Sequence, residues 1–163
     1  MPKKPKEKAF DALRNMNLEP NGNDLKKEPY KRDREIADQV GANPAAVNYV
    51  RRGLFFAEEC GIDIDKSIVY AWRWSGDNKY AKIGRSKSGY HLRETIKARS
   101  VTFHPTDEIH LIGIKYSETP SREEKRILDT LDRTHPKREW VCINENFNEL
   151  INNEFIKIER IVE

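Results

Sequence analysis

Tyr70, Lys82, Arg93 and Glu124 are residue types that together could hydrolyse a phosphodiester. That reaction needs an oriented or activated water, cations to absorb charge on the phosphoryl oxygens, and help for the departing alkoxide. A tyrosine, a lysine with an arginine, and a metal held by a carboxylate could supply these in turn. A free phenol, with a pKa of about 10, is too weak a base at neutral pH. Lys82, Arg93 and a divalent metal beside Tyr70 would favour the phenolate and lower that value. One carboxylate makes a sparse metal site. It suits a single Mg²⁺ or Mn²⁺ ion that keeps several waters and takes phosphate oxygens as ligands. His91, two residues before Arg93, is a further candidate for phosphate contact.

The elements around these residues must bring them together. SIVYAWRW is rich in β-branched and aromatic residues, SGDN supplies turn chemistry, and KYAKIGRS returns, so a β-hairpin is expected. Alternation puts Ile68, Tyr70, Trp72 and Trp74 on one face of the first strand, and Tyr80, Lys82 and Gly84 on one face of the second. A register that sets Tyr70 opposite Lys82 would make them cross-strand neighbours; a one-residue slip would separate them. SKSGYHLRETIKARS then reads as a helix with Leu92 and Ile96 inward, EIHLIGIKY as a third strand, SREEKRILDTLDR as a second helix, and REWVCI as an element returning to the sheet. In that second helix Ile127, Leu128 and Leu131 fall on the face centred on Glu124, while Glu123 lies about 100° away. A carboxylate in the middle of an apolar stripe is costly without a partner, so a metal or a basic residue is expected there. The fold class predicted is α+β, a small mixed or antiparallel sheet flanked by helices and preceded by a small helical module.

These pieces resemble a known family. Val69-Tyr70, then KIGRS over Lys82 to Ser86, Arg93 in the following helix, EEKRIL around Glu124 and REW at Trp140 resemble the GIY-YIG nuclease superfamily, closest to a branch whose second motif reads KIG. The resemblance covers residues 67–143. It implies Tyr70 as general base or orienter of the attacking water, Lys82 at the second-motif position, Arg93 as phosphate ligand and Glu124 as metal ligand, with Arg85 a second phosphate contact. The first motif lacks its glycine, and Lys82 replaces a tyrosine.

Upstream, residues 1–28 read as a basic polar arm, with a short helix over 8–17 and a loop at LEPNGND. Residues 29–60 are more regular. Ile36, Ala37, Val40, Ala46, Val47 and Val50 lie at helical spacing on either side of Gly41, which implies two short helices joined by a turn. Asn43 can cap the second helix and Pro44 can occupy its first turn. The packing pattern resembles helix-turn-helix DNA-binding modules. That resemblance makes Asn43, Ala45, Asn48 and Tyr49 candidate base readers and Arg51 and Arg52 candidate phosphate clamps.

Composition sets the outer limits. The chain has 163 residues, 35% charged and 37% hydrophobic, with a net charge of +3. Acidic and basic residues nearly cancel, so charge alone names no partner. KKPKEK, KRDR at 31–34 and the Arg51-Arg52 pair are local basic clusters that could track a phosphate backbone. No apolar run approaches the roughly 18 residues that cross a bilayer, and no apolar segment follows the basic amino terminus, so an intracellular, DNA-associated protein is expected. Cys60 and Cys142 lack a CxxC partner and read as core residues. The four histidines are scattered without ligand spacing, so no zinc site is expected. The expectation is a metal-dependent endonuclease on double-stranded DNA, of homing or phage-borne type, with restriction or repair as other roles. A double-strand cut would need a homodimer on DNA or successive binding. The competing expectation is a non-catalytic DNA-binding regulator.

Overall fold

The computed structural model describes residues 1–16, 31–100, 107–134 and 139–163. The chain divides into two compact units, Met1–Ile64 and Asp65–Glu163. Among the described residues it carries six helices and a five-stranded antiparallel sheet.

The first unit holds α1 (Pro5–Leu13), α2 (Lys31–Val40) and α3 (Pro44–Cys60). The stretch expected to be an arm therefore begins with a helix, and Ala9 and Leu13 of α1 are fully buried. Helix α2 ends at Gly41, whose φ of 69° is a left-handed conformation that glycine adopts without strain. Asn43 then caps α3, its side-chain oxygen accepting from Ala46 N–H at 2.8 Å, and Pro44 occupies the first turn. Ile36, Ala37, Ala46, Val47 and Val50 are buried as the periodicity required. Val40 is half-buried. Helix α3 continues through Arg51 and Arg52 to Cys60 before Gly61 stops it.

The second unit is built on β1 (Ile68–Trp74), β2 (Tyr80–Ser86), β3 (Ile109–Tyr116), β4 (Trp140–Cys142) and β5 (Ile156–Val162), in the spatial order β4-β2-β1-β3-β5. Helices α4 (Leu92–Arg99), α5 (Pro120–Thr130) and α6 (Glu145–Glu154) connect them. The hairpin turn forms as expected: Asp77 N–H donates to Trp74 O, and the Asp77 carboxylate accepts from Lys79 and Tyr80 N–H. Val69, Ala71, Ala81, Ile83 and Val141 supply one apolar face of the sheet, packed in a core with Ile127 and Leu128 of α5 and Phe147, Leu150 and Ile151 of α6. Tyr70, Trp72, Lys82 and Trp140 alternate onto the other face. Strand β5 and helix α6 complete the sheet and its cover from the last residues of the sequence. Cys60 and Cys142 are half-buried, not core residues.

Candidate functional site

The hairpin does not take the register that would set Tyr70 opposite Lys82. Tyr70 stands opposite Gly84, and Lys82 stands opposite Trp72. Tyr70 and Lys82 still share a face, two residues out of step. The reason lies at Gly84: a Cβ there would come within 2.4 Å of the Tyr70 hydroxyl. The Tyr70 ring lies flat across β2 in the space that a side chain would otherwise fill. Among the described residues, strand β4 pairs with β2 at Tyr80–Lys82, with one further bond from Ile83 N to Glu139 O.

Charges from four elements meet around this point. Arg85 faces Val69 across the hairpin and so lies on the α5 side of the sheet, where its guanidinium donates to Glu124 at 3.2 Å. Glu124 is 6% exposed, beside buried Ile127 and Leu128 on the apolar face of α5. The partner that a buried carboxylate requires is therefore Arg85. From the other side, the Lys82 ammonium lies 3.8 Å from Glu139 and donates to the backbone carbonyl of Arg99 at 3.4 Å. The Arg99 guanidinium lies 3.9 Å from the same Glu139 carboxylate.

Electrostatics link the two groups of charges. Burial raises the Tyr70 phenol above its ordinary value. Arg99 and Arg85 pull it down, Glu139 and Glu124 push it up, and the net shift is well upward. The protein's own cations do not lower the phenol: desolvation of a ring that is 1% exposed outweighs them. Tyr70 is a neutral phenol in the free protein. Burial also raises the Glu124 carboxyl and Glu139 adds to this, while Arg85 and Arg99 oppose it.

Arg93 lies on the first turn of α4. It is buried, and its guanidinium donates to Glu94 and to the backbone carbonyl of Glu163. The two cations that weigh most on the Tyr70 phenol are Arg99 and Arg85. Arg99, the last residue of α4, stands in the Lys82–Glu139 cluster. Nothing in the local sequence separates Arg99 from Lys97. Glu139 was also missed, although it precedes Trp140 within the REW motif. His91 hydrogen-bonds Ser88 through Nδ1 at 2.7 Å and stacks on Tyr90. Of the other histidines, His104 and His135 lie outside the described residues, and His110 pairs with Glu159. Among the described residues, no three His, Cys, Asp or Glu side chains gather as a metal cage.

In the helical unit, Asn43 and Ala45 are exposed at the start of α3. Arg51 is not available as a phosphate clamp. It is 1% exposed and holds Asp33 through two bonds, Nε at 2.8 Å and a terminal nitrogen at 3.0 Å. Asn48 donates to the same Asp33 carboxylate at 3.2 Å, so its side chain faces α2 as well. Tyr49 carries the Lys6 ammonium 3.8 Å from its ring centre. Arg52 is half-buried on the following position. The sequence pattern missed Asp33, whose position in KRDR reads as part of a solvated charge run.

No helix among the described residues is long and apolar enough to cross a membrane. Comparison with protein-family models, with curated proteins and with solved structures found no match.

Proposed function

We propose that the second unit is a metal-dependent DNA endonuclease of GIY-YIG type, and that the helical unit contacts double-stranded DNA. The observation that carries this reading is the Tyr70 phenol laid across Gly84 between an Arg85–Glu124 pair and a Lys82–Glu139–Arg99 cluster. On this reading a phosphodiester is taken by Lys82 and Arg99 beside the phenol. Pairs at 3.8–3.9 Å that are partly exposed contribute only about 0–1 kcal/mol, so a phosphate displaces Glu139 from Lys82 and Arg99 at little cost. Lys82 and Arg99 then neutralise charge on the phosphoryl oxygens, and Arg85 holds Glu124 from the α5 side. Tyr70 would orient the attacking water by hydrogen bonding, or take its proton where a bound cation favours the phenolate.

Glu124 fits a Mg²⁺ or Mn²⁺ ion. It is a buried hard-oxygen donor whose carboxyl is raised by desolvation, a cost that a divalent cation relieves. When bound, such an ion makes a coordinated water more acidic and offsets charge on the leaving oxygen. Cleavage by this route leaves 5′-phosphate and 3′-hydroxyl ends. A single site cuts one strand, so a double-strand break requires a homodimer on DNA or two successive events. A role as homing, phage-borne, restriction or repair nuclease follows from the DNA sequence chosen.

The test is supercoiled plasmid incubated with the protein and Mg²⁺, or with chelator, beside Glu124→Ala. Metal-dependent nicking or linearisation that Glu124→Ala abolishes is expected. Binding without cleavage on every DNA tried would overturn the nuclease and favour a DNA-binding regulator in which the second unit only grips phosphates.

A further inference from the structure

The chain's three tryptophans, Trp72, Trp74 and Trp140, form one contact chain on the sheet face that carries Tyr70. Trp72 meets Trp74 edge-on with ring centres 5.1 Å apart and meets Trp140 at 5.4 Å. Trp72 is fully buried, and its indole N–H has no acceptor among the described residues, so the cluster carries an unmet donor. Trp74 and Trp140 are half-exposed, and Tyr80, two residues before Lys82 on the same face, is 40% exposed. The Lys82 ammonium stands 5.9 Å from the centre of the Trp140 ring. An aromatic shelf therefore adjoins the cations assigned to the phosphate.

A buried core would explain Trp72 alone. Trp72 shares this face with buried Ile68, Tyr70 and Ile114, but the outer rings Trp74 and Trp140 stay partly open, Trp140 beside the Lys82 ammonium. Partly exposed aromatic rings flanked by cations match the chemistry of an anionic strand whose bases are unstacked: the rings take base faces while the cations take the backbone.

We infer that Trp140, Trp74 and Tyr80 form a shelf that stacks an unpaired nucleobase of the DNA strand next to the scissile phosphate. The substrate is then DNA with an unstacked base at the cut, single-stranded or flipped from a duplex. The inference rests on the nuclease reading for which phosphate the base adjoins, but base stacking itself is measured without cleavage.

The experiment is fluorescence anisotropy of a labelled single-stranded thymidine oligonucleotide and an abasic oligonucleotide of equal length, with the full chain in chelator. The base-bearing strand is expected to bind about tenfold tighter than the abasic one. Trp140→Leu should bring that ratio close to one, and Trp140→Phe should keep most of it. Tyr80→Ala changes an exposed ring that does not support the core, and should lower the ratio by a few-fold even if Trp140→Leu fails to fold. Equal affinity of the unaltered protein for the two strands would overturn the shelf, as would an unchanged ratio in a folded Trp140→Leu together with Tyr80→Ala. Plasmid nicking scores separately, so loss of the shelf and loss of the nuclease give different results.

Discussion

At Gly84 and Tyr70 one missing side chain decides where a ring can lie. Any Cβ at position 84 meets the Tyr70 ring and hydroxyl at 2.4–2.7 Å, too close for contact. Gly84→Ala must therefore lift the ring off β2. Overpacking of this kind costs about 1–3 kcal/mol. The expected outcome is a lower melting temperature together with loss of plasmid nicking, whereas Tyr70→Phe, which keeps the ring and removes the hydroxyl, should retain most of the stability and lose nicking. A Gly84→Ala protein that melts and cuts like the parent would show that the ring position is irrelevant to both. The glycine of KIGRS was legible in the sequence as part of a motif, but its reason was not. The sequence left the register open, and only the pairing of two whole strands reveals which residue the ring covers.

Helices set which charges face a site. In α5 local periodicity is enough: Glu124 lies on the face of Ile127 and Leu128 because all three follow the same 3.6-residue repeat, and burial of that face was readable in advance. The remainder of the helix is tied by Glu123, which pairs with Lys115 of β3 and Arg126 at 2.7 and 2.6 Å, so α5 cannot rotate without breaking charges on both sides. In α3 periodicity misled in one place. Arg51 follows Val47 by four residues and so shares its inward side, where Asp33 of α2 waits for it. Removing one member of such a pair strands a buried charge and costs about 3–5 kcal/mol. Arg51→Met should therefore unfold the helical unit or sharply lower its melting temperature. Arg52→Ala should leave stability within about 0.5 kcal/mol and reduce the salt dependence of DNA affinity. Circular dichroism and DNA titrations at two salt concentrations check both. If Arg51→Met kept its stability and lost DNA affinity, Arg51 would return to the phosphate-clamp role.

Across the whole molecule, two compact units each have their own buried core. Residues 65–163 should therefore fold alone and retain metal-dependent nicking, with weaker preference among DNA sequences than the full chain. Loss of all cleavage from a folded 65–163 fragment would place part of the chemistry in the first 64 residues. The sequence by itself determined features that depend on neighbours within a turn of helix or a strand: the Asn43-Pro44 start of α3, the β1–β2 hairpin, and the inward face of Glu124. Only the tertiary structure decided that Arg99 stands with Lys82 and Glu139, that Arg51 is spent on Asp33, and that β5 pairs with β3 at the sheet edge. The physical reason is distance along the chain. Arg85 and Glu124 are 39 positions apart and Arg93 and Glu163 are 70 apart, so their pairing follows from how strands and helices pack, which no local pattern encodes.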